Sequence, residues 1–200
     1  MDREKLPVNI QFVNTPCGEI ILAAAGDRLC LCIWSGMPCG ERCKRRLAQY
    51  LNARCIMKSS PVLERTKRQL EEYFAGNRQT FSVPLLPVGT DFQKRVWQAL
   101  QEIPYGETRT YKDIARCIDA PQSVRAVGQA IGANGIGILI PCHRVVGSDR
   151  SLTGFAGGTE VKKYLLDMEG RLPSSTPPTV SSSTITIEKQ PGSSWSRMPW

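Results

Sequence analysis

A cysteine and a histidine stand side by side at positions 142 and 143, and this pair could carry nucleophilic chemistry. Cys142 follows the apolar run 136–140, and His143 is the single histidine among 200 residues. A thiolate is the reactive form of cysteine, and a neighbouring imidazole or cation lowers the pKa of the thiol. Because adjacent side chains seldom hydrogen-bond directly, His143 would act through a water, and Glu169 is a candidate to orient the imidazole. The dipeptide by itself is more typical of a buried cysteine beside a surface histidine.

Three short helices are predicted before this pair. Thr90 can cap the first helix, whose apolar residues recur at helical spacing. Thr110 and Asp113 form a capping-box pattern that begins the second helix, over residues 111–118. The third helix covers about residues 122–131. Because three or four residues separate the second helix from the third, the two form a helix-turn-helix pattern.

The third helix has the residues that a nucleic acid would contact. Arg125 and Gln129 are one turn apart, and Ala126, Gly128 and Ala130 are small enough to let a backbone approach closely. A plain helical hairpin with an exposed arginine fits the spacing equally well.

The residues before and after this region differ from it in composition and in apolar pattern. Residues 147–158 are polar and Gly-rich, as in a loop, and residues 161–168 form a last amphipathic helix. From Pro173 onward Ser, Thr and Pro dominate, which predicts disorder. Before residue 84 the pattern predicts strands at 8–13, 19–25 and 29–33, helices at 42–51 and 62–74, and a further strand at 80–83.

These elements predict a two-part architecture with a tail. The fold class is an α/β (α+β) N-terminal domain with a small antiparallel sheet, followed by a mostly helical, winged-helix-like domain that contains the helix-turn-helix. A Pro-rich linker at residues 84–88 separates them. The expected boundaries are 1–87, 88–171 and 172–200.

Charge and cysteine content narrow the classes of partner and location. The net charge of +8 favours a polyanionic partner, of which nucleic acid is the commonest. No run approaches eighteen apolar residues, and the charged N-terminus lacks the apolar core of a secretory signal, so we expect a cytoplasmic protein. The eight cysteines are then expected to be thiols. The pairs Cys30/Cys32 and Cys39/Cys43 lack the usual C-x2-C spacing of zinc sites, so core packing is the favoured interpretation.

Longer motifs favour the functional interpretation of the Cys-His pair. The string PCHRVV at 141–146 resembles the active-site signature of the O6-alkylguanine-DNA alkyltransferases. The strings IPYGET at 103–108, VRAVG at 124–128 and LTGFAGG at 152–158 are similar to that family's entry to its DNA-binding half, its recognition helix and its substrate loop. LLDMEG at 165–170 is similar to its closing helix. The resemblance is dense over about residues 90–171 and weaker before residue 88.

The resemblance implies a role for each candidate site residue. Cys142 would be the nucleophile and permanent alkyl acceptor, His143 would take its proton through a water, and Glu169 would orient the imidazole. Asn134 would brace the turn holding the cysteine, and Tyr111 would help rotate the nucleotide and protonate guanine N3. The implied DNA contacts are Arg125, which fills the vacated space in the duplex, with Ala126, Tyr111, Ser123 and Gln129. The implied substrate pocket is formed by Val145, Leu152, Thr153, Phe155, Ala156 and Gly157.

The implied function is direct-reversal DNA repair by a single-turnover methylated-DNA–[protein]-cysteine S-methyltransferase. Its substrate would be O6-alkylguanine in double-stranded DNA, which it would bind in the minor groove as a monomer, without a cofactor and without a membrane. Some family members hold zinc through Cys and His in the N-terminal domain, but this chain has no histidine there, so zinc is not expected. The alternatives are an alkyltransferase-like protein that binds lesions without reacting, a helix-turn-helix transcription factor and a Cys-His hydrolase. Cys142 counts against the first, and the Cys-His pair or the helix-turn-helix would be left unexplained by the others.

Overall fold

The computed structural model describes residues 5–36 and 39–170. Its first part is a four-stranded sheet in the order β3-β2-β1-β4. The strands are β1 Leu6–Thr15, β2 Gly18–Ala25, β3 Arg28–Trp34 and β4 Ala53–Met57. The first three form antiparallel hairpins, and β4 pairs with β1 in parallel. Gly18 and Gly26 adopt positive φ at the two tight turns, a backbone conformation that glycine tolerates best.

Both faces of the sheet are buried at its strands β2 and β3, which explains why these two strands are apolar almost throughout. Along β2, Ile20 and Leu22 face one hydrophobic cluster, whereas Ile21 and Ala23 face another. The second cluster is covered by α1 Cys39–Leu51, through residues such as Leu47. The first is covered by α2 Pro61–Phe74 and continues into residues up to Leu165. One core therefore joins the sheet to the C-terminal half of the chain.

The C-terminal half is built from short helices. These are α3 Asp91–Gln101, α4 Tyr111–Cys117, α5 Val124–Gly132 and α6 Thr159–Gly170. A short 3-10 turn, Cys142–Arg144, leads into β6 Val145–Val146, which pairs in parallel with β5 Arg109–Thr110. Thr90 caps α3 as predicted and forms a capping box with Gln93, and Thr110 forms the predicted capping box with Asp113. The cap at Thr110 fixes where α4 begins, and so places Tyr111 at the first turn.

The predicted fold class is confirmed, although β4 makes the sheet mixed where an antiparallel one was predicted. The first three strands and the predicted helices are confirmed, and their ends differ from the predicted ones by at most three residues. The predicted strand at 80–83 is wrong. The chain there is extended, but only the following residues pair, through Leu29 N–H to Pro84 O and Leu86 N–H to Leu29 O. Pro84 has no N–H with which to extend this pairing toward earlier residues, and the structure shows an isolated bridge between Leu29 and Leu85. Strand β4 was not predicted, because its sequence, ARCIM, has no clear alternation.

Some expectations fall outside these observations. The predicted disorder from residue 173 lies outside the described residues, and the domain boundaries stay a prediction. Among the helices of residues 5–36 and 39–170, none has the length and apolar character needed to cross a bilayer.

Candidate active site

Cys142 begins the 3-10 turn and is almost fully buried, with 5% of its surface exposed. Asn134, which follows α5, fixes this turn through hydrogen bonds of its side chain. Its amide nitrogen donates to Ile140 O at 2.9 Å and lies 3.3 Å from Cys142 Sγ, while its amide oxygen accepts from Ile136 N–H at 2.9 Å. One buried side chain therefore fixes both ends of the loop that leads to the cysteine.

The loop itself is held to the sheet in a strained conformation. Cys32 of β3 donates to Gly135 O at 2.8 Å and accepts from Gly137 N–H at 2.7 Å, both through backbone atoms. Ile138 has φ 67° and is buried, although left-handed backbone is unfavourable for a β-branched residue. Strain of this kind costs about 1–3 kcal/mol and persists only where the surroundings determine the conformation. The sheet thus contributes to the shape of the loop before Cys142.

His143 and Arg144 follow the cysteine in the 3-10 turn and form a buried cluster with Glu169 of α6. His143 Nε2 lies 2.7 Å from Glu169 Oε1, and Arg144 makes two hydrogen bonds to the same carboxylate, at 2.8 and 3.0 Å. Arg144 also donates to Ile103 O at 2.6 Å. Because a carboxylate can only accept, the imidazole proton lies on Nε2 and Nδ1 is left as an acceptor. Nδ1 is buried and has no hydrogen-bond partner among the described protein atoms.

The cluster sets the charges of its members. Burial lowers the pKa of His143 below its ordinary value of 6.5, although Glu169 partly opposes that effect. Burial alone would raise the pKa of Glu169, but hydrogen bonds from His143 and Arg144 outweigh it and hold that pKa below its ordinary range. At neutral pH the imidazole is therefore neutral and the carboxylate is ionised, so His143 is able to accept a proton.

The N-terminal part adds a fourth group to this cluster. Tyr73 of α2 is fully buried, and its hydroxyl donates to Glu169 Oε1 at 2.6 Å. Neither Tyr73 nor Arg144 was singled out for a role from the sequence. Arg144 could have been noticed because it immediately follows the Cys-His pair. Nothing in the sequence around Tyr73 distinguishes it from a core aromatic residue.

A buried lysine joins the turn after the cysteine to the Gly-rich loop. Lys162 of α6 donates from Nζ to Val145 O at 2.6 Å and to Thr153 O at 2.8 Å, and its side chain is fully buried. The Tyr111 hydroxyl donates to the same Thr153 oxygen at 3.1 Å. Burial lowers the pKa of Lys162, and the nearby Cys142 opposes that shift. The helical pattern of α6 gave no sign that this lysine faces inward.

The Gly-rich loop packs against both halves of the chain. The Phe155 ring contacts Trp34 of β3 edge-on, with ring centroids 5.4 Å apart, and lies 6.4 Å from the His143 ring. A Cβ at Gly157 would lie 2.9 Å from Phe155 and 3.0 Å from Trp34, so only glycine fits there. The other predicted pocket residues differ in exposure: Val145 is buried, Leu152 and Ala156 are half-buried, and Thr153 is exposed.

The predicted DNA-contact residues lie together on a different surface. Arg125, Ala126 and Gln129 are exposed on α5, and Ser123 is half-buried at its N-terminal end. In the described part of the chain, the side chains of these residues make no hydrogen bond or ion pair. Tyr111 lies between this surface and the acceptor site: a Cβ placed on Gly128 of α5 would lie 3.7 Å from its ring, and the backbone oxygen of Thr153 accepts from its hydroxyl at 3.1 Å.

Metal ligands are not grouped anywhere in residues 5–36 and 39–170: no three His, Cys, Asp or Glu side chains lie together as a metal ion would require. The seven cysteines whose side chains are described form no disulfide. Burial raises the pKa of Cys17 and of Cys30 to about 12, as expected of core thiols.

Sequence comparison finds relatives for both parts of the chain. The family model for the DNA-binding domain of 6-O-methylguanine DNA methyltransferase matches residues 91–171, and the model for its ribonuclease-like domain matches residues 9–87. A methylated-DNA–protein-cysteine methyltransferase of Methanosarcina barkeri is 60% identical over 96 residues, which are 48% of this chain and 61% of that protein. The constitutive methyltransferase of Bacillus subtilis is 57% identical over 97 residues, again 48% of this chain and 59% of that protein. The matched region thus spans about 60% of the length of these curated relatives.

Solved structures extend the similarity to both halves. The crystal structure of Mycobacterium tuberculosis O6-methylguanine methyltransferase has a TM-score of 0.69 and 38% identity, covering 84% of this chain and 96% of that one. The structure of Mycobacterium tuberculosis OGT in complex with DNA also has a TM-score of 0.69 and 38% identity, covering 82% of this chain and 92% of that one.

Proposed function

The chain belongs to the 6-O-methylguanine DNA methyltransferase family, and we propose that it repairs DNA by moving an alkyl group from guanine O6 onto its own Cys142. The observation that carries this proposal is the buried Cys142 followed in the sequence by a buried His143 that is bonded to Glu169. A cysteine with a neutral imidazole next in sequence, and a carboxylate orienting that imidazole, has the parts of an activated nucleophile. The thioether that forms is stable, so each molecule would react once.

The proton of Cys142 would pass through a water to Nδ1 of His143. This nitrogen is the acceptor that the geometry leaves open, and the ionised Glu169 stabilises the imidazolium that results. The Cys142 thiolate then attacks the alkyl carbon. A carbon–sulfur bond forms as the bond from carbon to O6 breaks, and the electron pair leaves on the guanine.

The departing guanine needs a proton, and we assign its donation at N3 to the Tyr111 hydroxyl. That hydroxyl donates to Thr153 O in the Gly-rich loop, while the ring lies next to Gly128 of α5. Tyr111 therefore lies between the DNA-contact helix and the pocket. The proton accepted by His143 balances the one lost by Tyr111, and solvent exchange restores both groups. No step in this sequence needs a metal or another cofactor.

The proposed partner is double-stranded DNA that contains O6-alkylguanine. A base inside the duplex cannot reach a cysteine that is 5% exposed, so the nucleotide must rotate out of the stack. Arg125 at the exposed face of α5 would fill the space that it leaves, while Ala126 and Ser123 let the helix approach the minor groove. Rotation costs a few kcal/mol, and least for a base pair that is already weak, which favours lesions.

The pocket for the rotated base is assigned to Val145 and to the loop residues Leu152, Thr153, Phe155, Ala156 and Gly157. The Phe155 ring would stack against the base, and Trp34 supports it from below. O4-alkylthymine is a second candidate substrate on the same chemistry. The domain division at residues 87/88, a monomeric state and a cytoplasmic location remain sequence predictions.

The decisive experiment weighs the intact protein and its peptides after mixing with a duplex that carries one O6-methylguanine. We expect a gain of one methyl group on the peptide containing Cys142, stopping at one per molecule, and no gain in Cys142→Ser. Binding of the methylated duplex should survive in that variant and weaken with salt, with a log–log slope of about −0.9 per phosphate contacted.

The other outcomes point to other functions. Tight lesion binding by the wild-type protein without a mass gain would indicate an alkyltransferase-like protein that only recognises damage. Binding that does not respond to salt would contradict a DNA partner altogether.

A further inference from the structure

We propose that Tyr73, which lies in the sheet-containing half of the chain, is a positioning residue for the proposed proton transfer: its hydroxyl holds the Glu169 carboxylate so that His143 stays neutral until Cys142 gives up its proton. This inference rests on the proposed function. It assigns to the N-terminal half a direct part in the acceptor site.

The geometry places Tyr73 and His143 on the same oxygen. Glu169 Oε1 accepts from the Tyr73 hydroxyl at 2.6 Å, from His143 Nε2 at 2.7 Å and from Arg144 at 3.0 Å. Its other oxygen accepts from Arg144 at 2.8 Å and lies 3.4 Å from the Gly106 N–H. The carboxylate is therefore surrounded by donors, and Tyr73 competes directly with the imidazole for one oxygen.

This competition affects the imidazole more than its neighbours. An ionised carboxylate raises the basicity of the histidine that donates to it, and every further donor on that oxygen weakens the effect. The other charged groups that act on the imidazole are Arg144 and Lys162, and both disfavour a second positive charge. Cys142 is its neighbour in the sequence. Removing the Tyr73 hydroxyl leaves all of these in place and strengthens only the pull of Glu169.

Tyr73 could instead be a core residue whose hydroxyl merely satisfies a buried oxygen. Its ring packs edge-on against Phe74 and Tyr105, with centroids 5.4 and 6.3 Å away, so packing alone would explain its burial. Tyr105 provides a matched comparison. It is half-buried near the same carboxylate, Arg144 lies over its ring at 5.7 Å, and its hydroxyl makes no hydrogen bond within the described residues.

The test uses the fact that His143 is the only histidine of the chain, so its imidazole NMR signals need no assignment. Full-length protein labelled with 15N-histidine is titrated as wild type, Tyr73→Phe and Tyr105→Phe. We expect the imidazole of Tyr73→Phe to protonate at a higher pH, by about one pH unit, and that of Tyr105→Phe to follow the wild type. In Tyr73→Phe the acid limb of the methyl-transfer profile should move upward with it.

A second variant covers the case in which Tyr73→Phe fails to fold. Replacing Tyr73 by 3-fluorotyrosine strengthens the donor at nearly constant shape, so the His143 transition should move to lower pH. Unchanged imidazole titration in both variants would overturn the proposal and leave Tyr73 as a packing residue. The NMR result does not need methyl transfer, so a failure of the proposed function would be seen separately, in the mass experiment.

Discussion

The acceptor site and the DNA-contact face of α5 lie on either side of Tyr111, yet they are built in opposite ways. Cys142, His143 and Glu169 are buried, with Cys142 held by Asn134 and His143 bonded to Glu169, whereas Arg125 and Gln129 are exposed and have no side-chain partners in the described structure. Groups that must react benefit from fixed positions before the substrate arrives, since their alignment then costs nothing at the moment of reaction. Groups that bind DNA find their partners on the DNA.

This difference also separates the free energy of unfolding from the free energy of DNA binding. Substitutions within the acceptor site should change both the stability of the fold and the chemistry, because the same hydrogen bonds serve both. Substitutions on α5 should change DNA binding while the free energy of unfolding stays nearly constant. Each of the following predictions tests one side of that contrast.

Glu169→Gln should have the largest effect. The neutral amide no longer compensates Arg144, which remains 6% exposed, and breaking a buried ion pair from one side costs about 3–5 kcal/mol. The free energy of unfolding, measured by urea denaturation, should fall by that amount, and methyl transfer should be lost with it. Asp167→Asn removes an exposed carboxylate from the same helix and should change stability by less than about 0.5 kcal/mol. Equal losses in the two variants would refute the structural role of the cluster.

Acid should destabilise the protein in two stages. The folded pKa of His143 lies below 6.5, so only the unfolded chain binds a proton there, and stability is lost as the pH falls below about 6.5. The folded pKa of Glu169 lies below 4.5, so its contribution to stability is fully present above pH 4.5. That contribution is lost as the pH falls from 4.5 through the folded pKa. One proton limits the first slope to about 1.4 kcal/mol per pH unit.

The first stage can be assigned without ambiguity because the chain has one histidine. Urea unfolding between pH 7.5 and about 5.5 should show the loss in the wild type and a flat profile in His143→Asn. A slope that survives in the variant would mean that another group titrates there, and would contradict a neutral buried imidazole.

Arg125→Ala should leave stability unchanged and weaken lesion capture. Loss of an arginine that contacts nucleic acid costs about 1–3 kcal/mol, or about five- to 150-fold in the single-turnover rate at low duplex concentration. The rate at which iodoacetamide modifies Cys142 should stay the same, because the acceptor site is untouched. Arg45→Ala removes the same charge from an exposed position on α1 and is the control. Identical transfer rates in Arg125→Ala and wild type would remove Arg125 from the proposed contact.

The contrast between the two regions also explains what the sequence could predict. Helices α3 and α4 follow from local signals, namely a capping box and a helical period, which need no knowledge of the rest of the chain. The Cys-His pair and Glu169 were recognised because the motif around them is long. Arg125 and Gln129 could be proposed as DNA contacts because the spacing of apolar residues on a short helix predicts which of its residues are exposed.

The parts that escaped prediction depend on contacts between distant segments. Tyr73 and Trp34 meet the acceptor site only after the sheet and α2 pack against the C-terminal half, and their sequence neighbours carry no sign of it. Lys162 occupies a position on α6 where a lysine usually reaches solvent, but two backbone oxygens hold it inside. Strand β4 also depends on a distant segment, since it pairs in parallel with β1, and β2, β3 and α1 lie between the two in the chain.

Gln129→Ala should have the smallest effect and thereby define how Arg125 acts. Gln129 lies one turn from Arg125 on the same exposed helix but has no charge, so its loss removes at most one neutral hydrogen bond, about 0.5–1.5 kcal/mol. Because no counterion is released by an amide, the salt slope of DNA binding should be the same as in the wild type. A binding titration at several salt concentrations separates the two residues: a slope changed in Gln129→Ala would mean that the substitution moves α5 itself, and the simple division between a fixed acceptor site and an independent contact face would no longer hold.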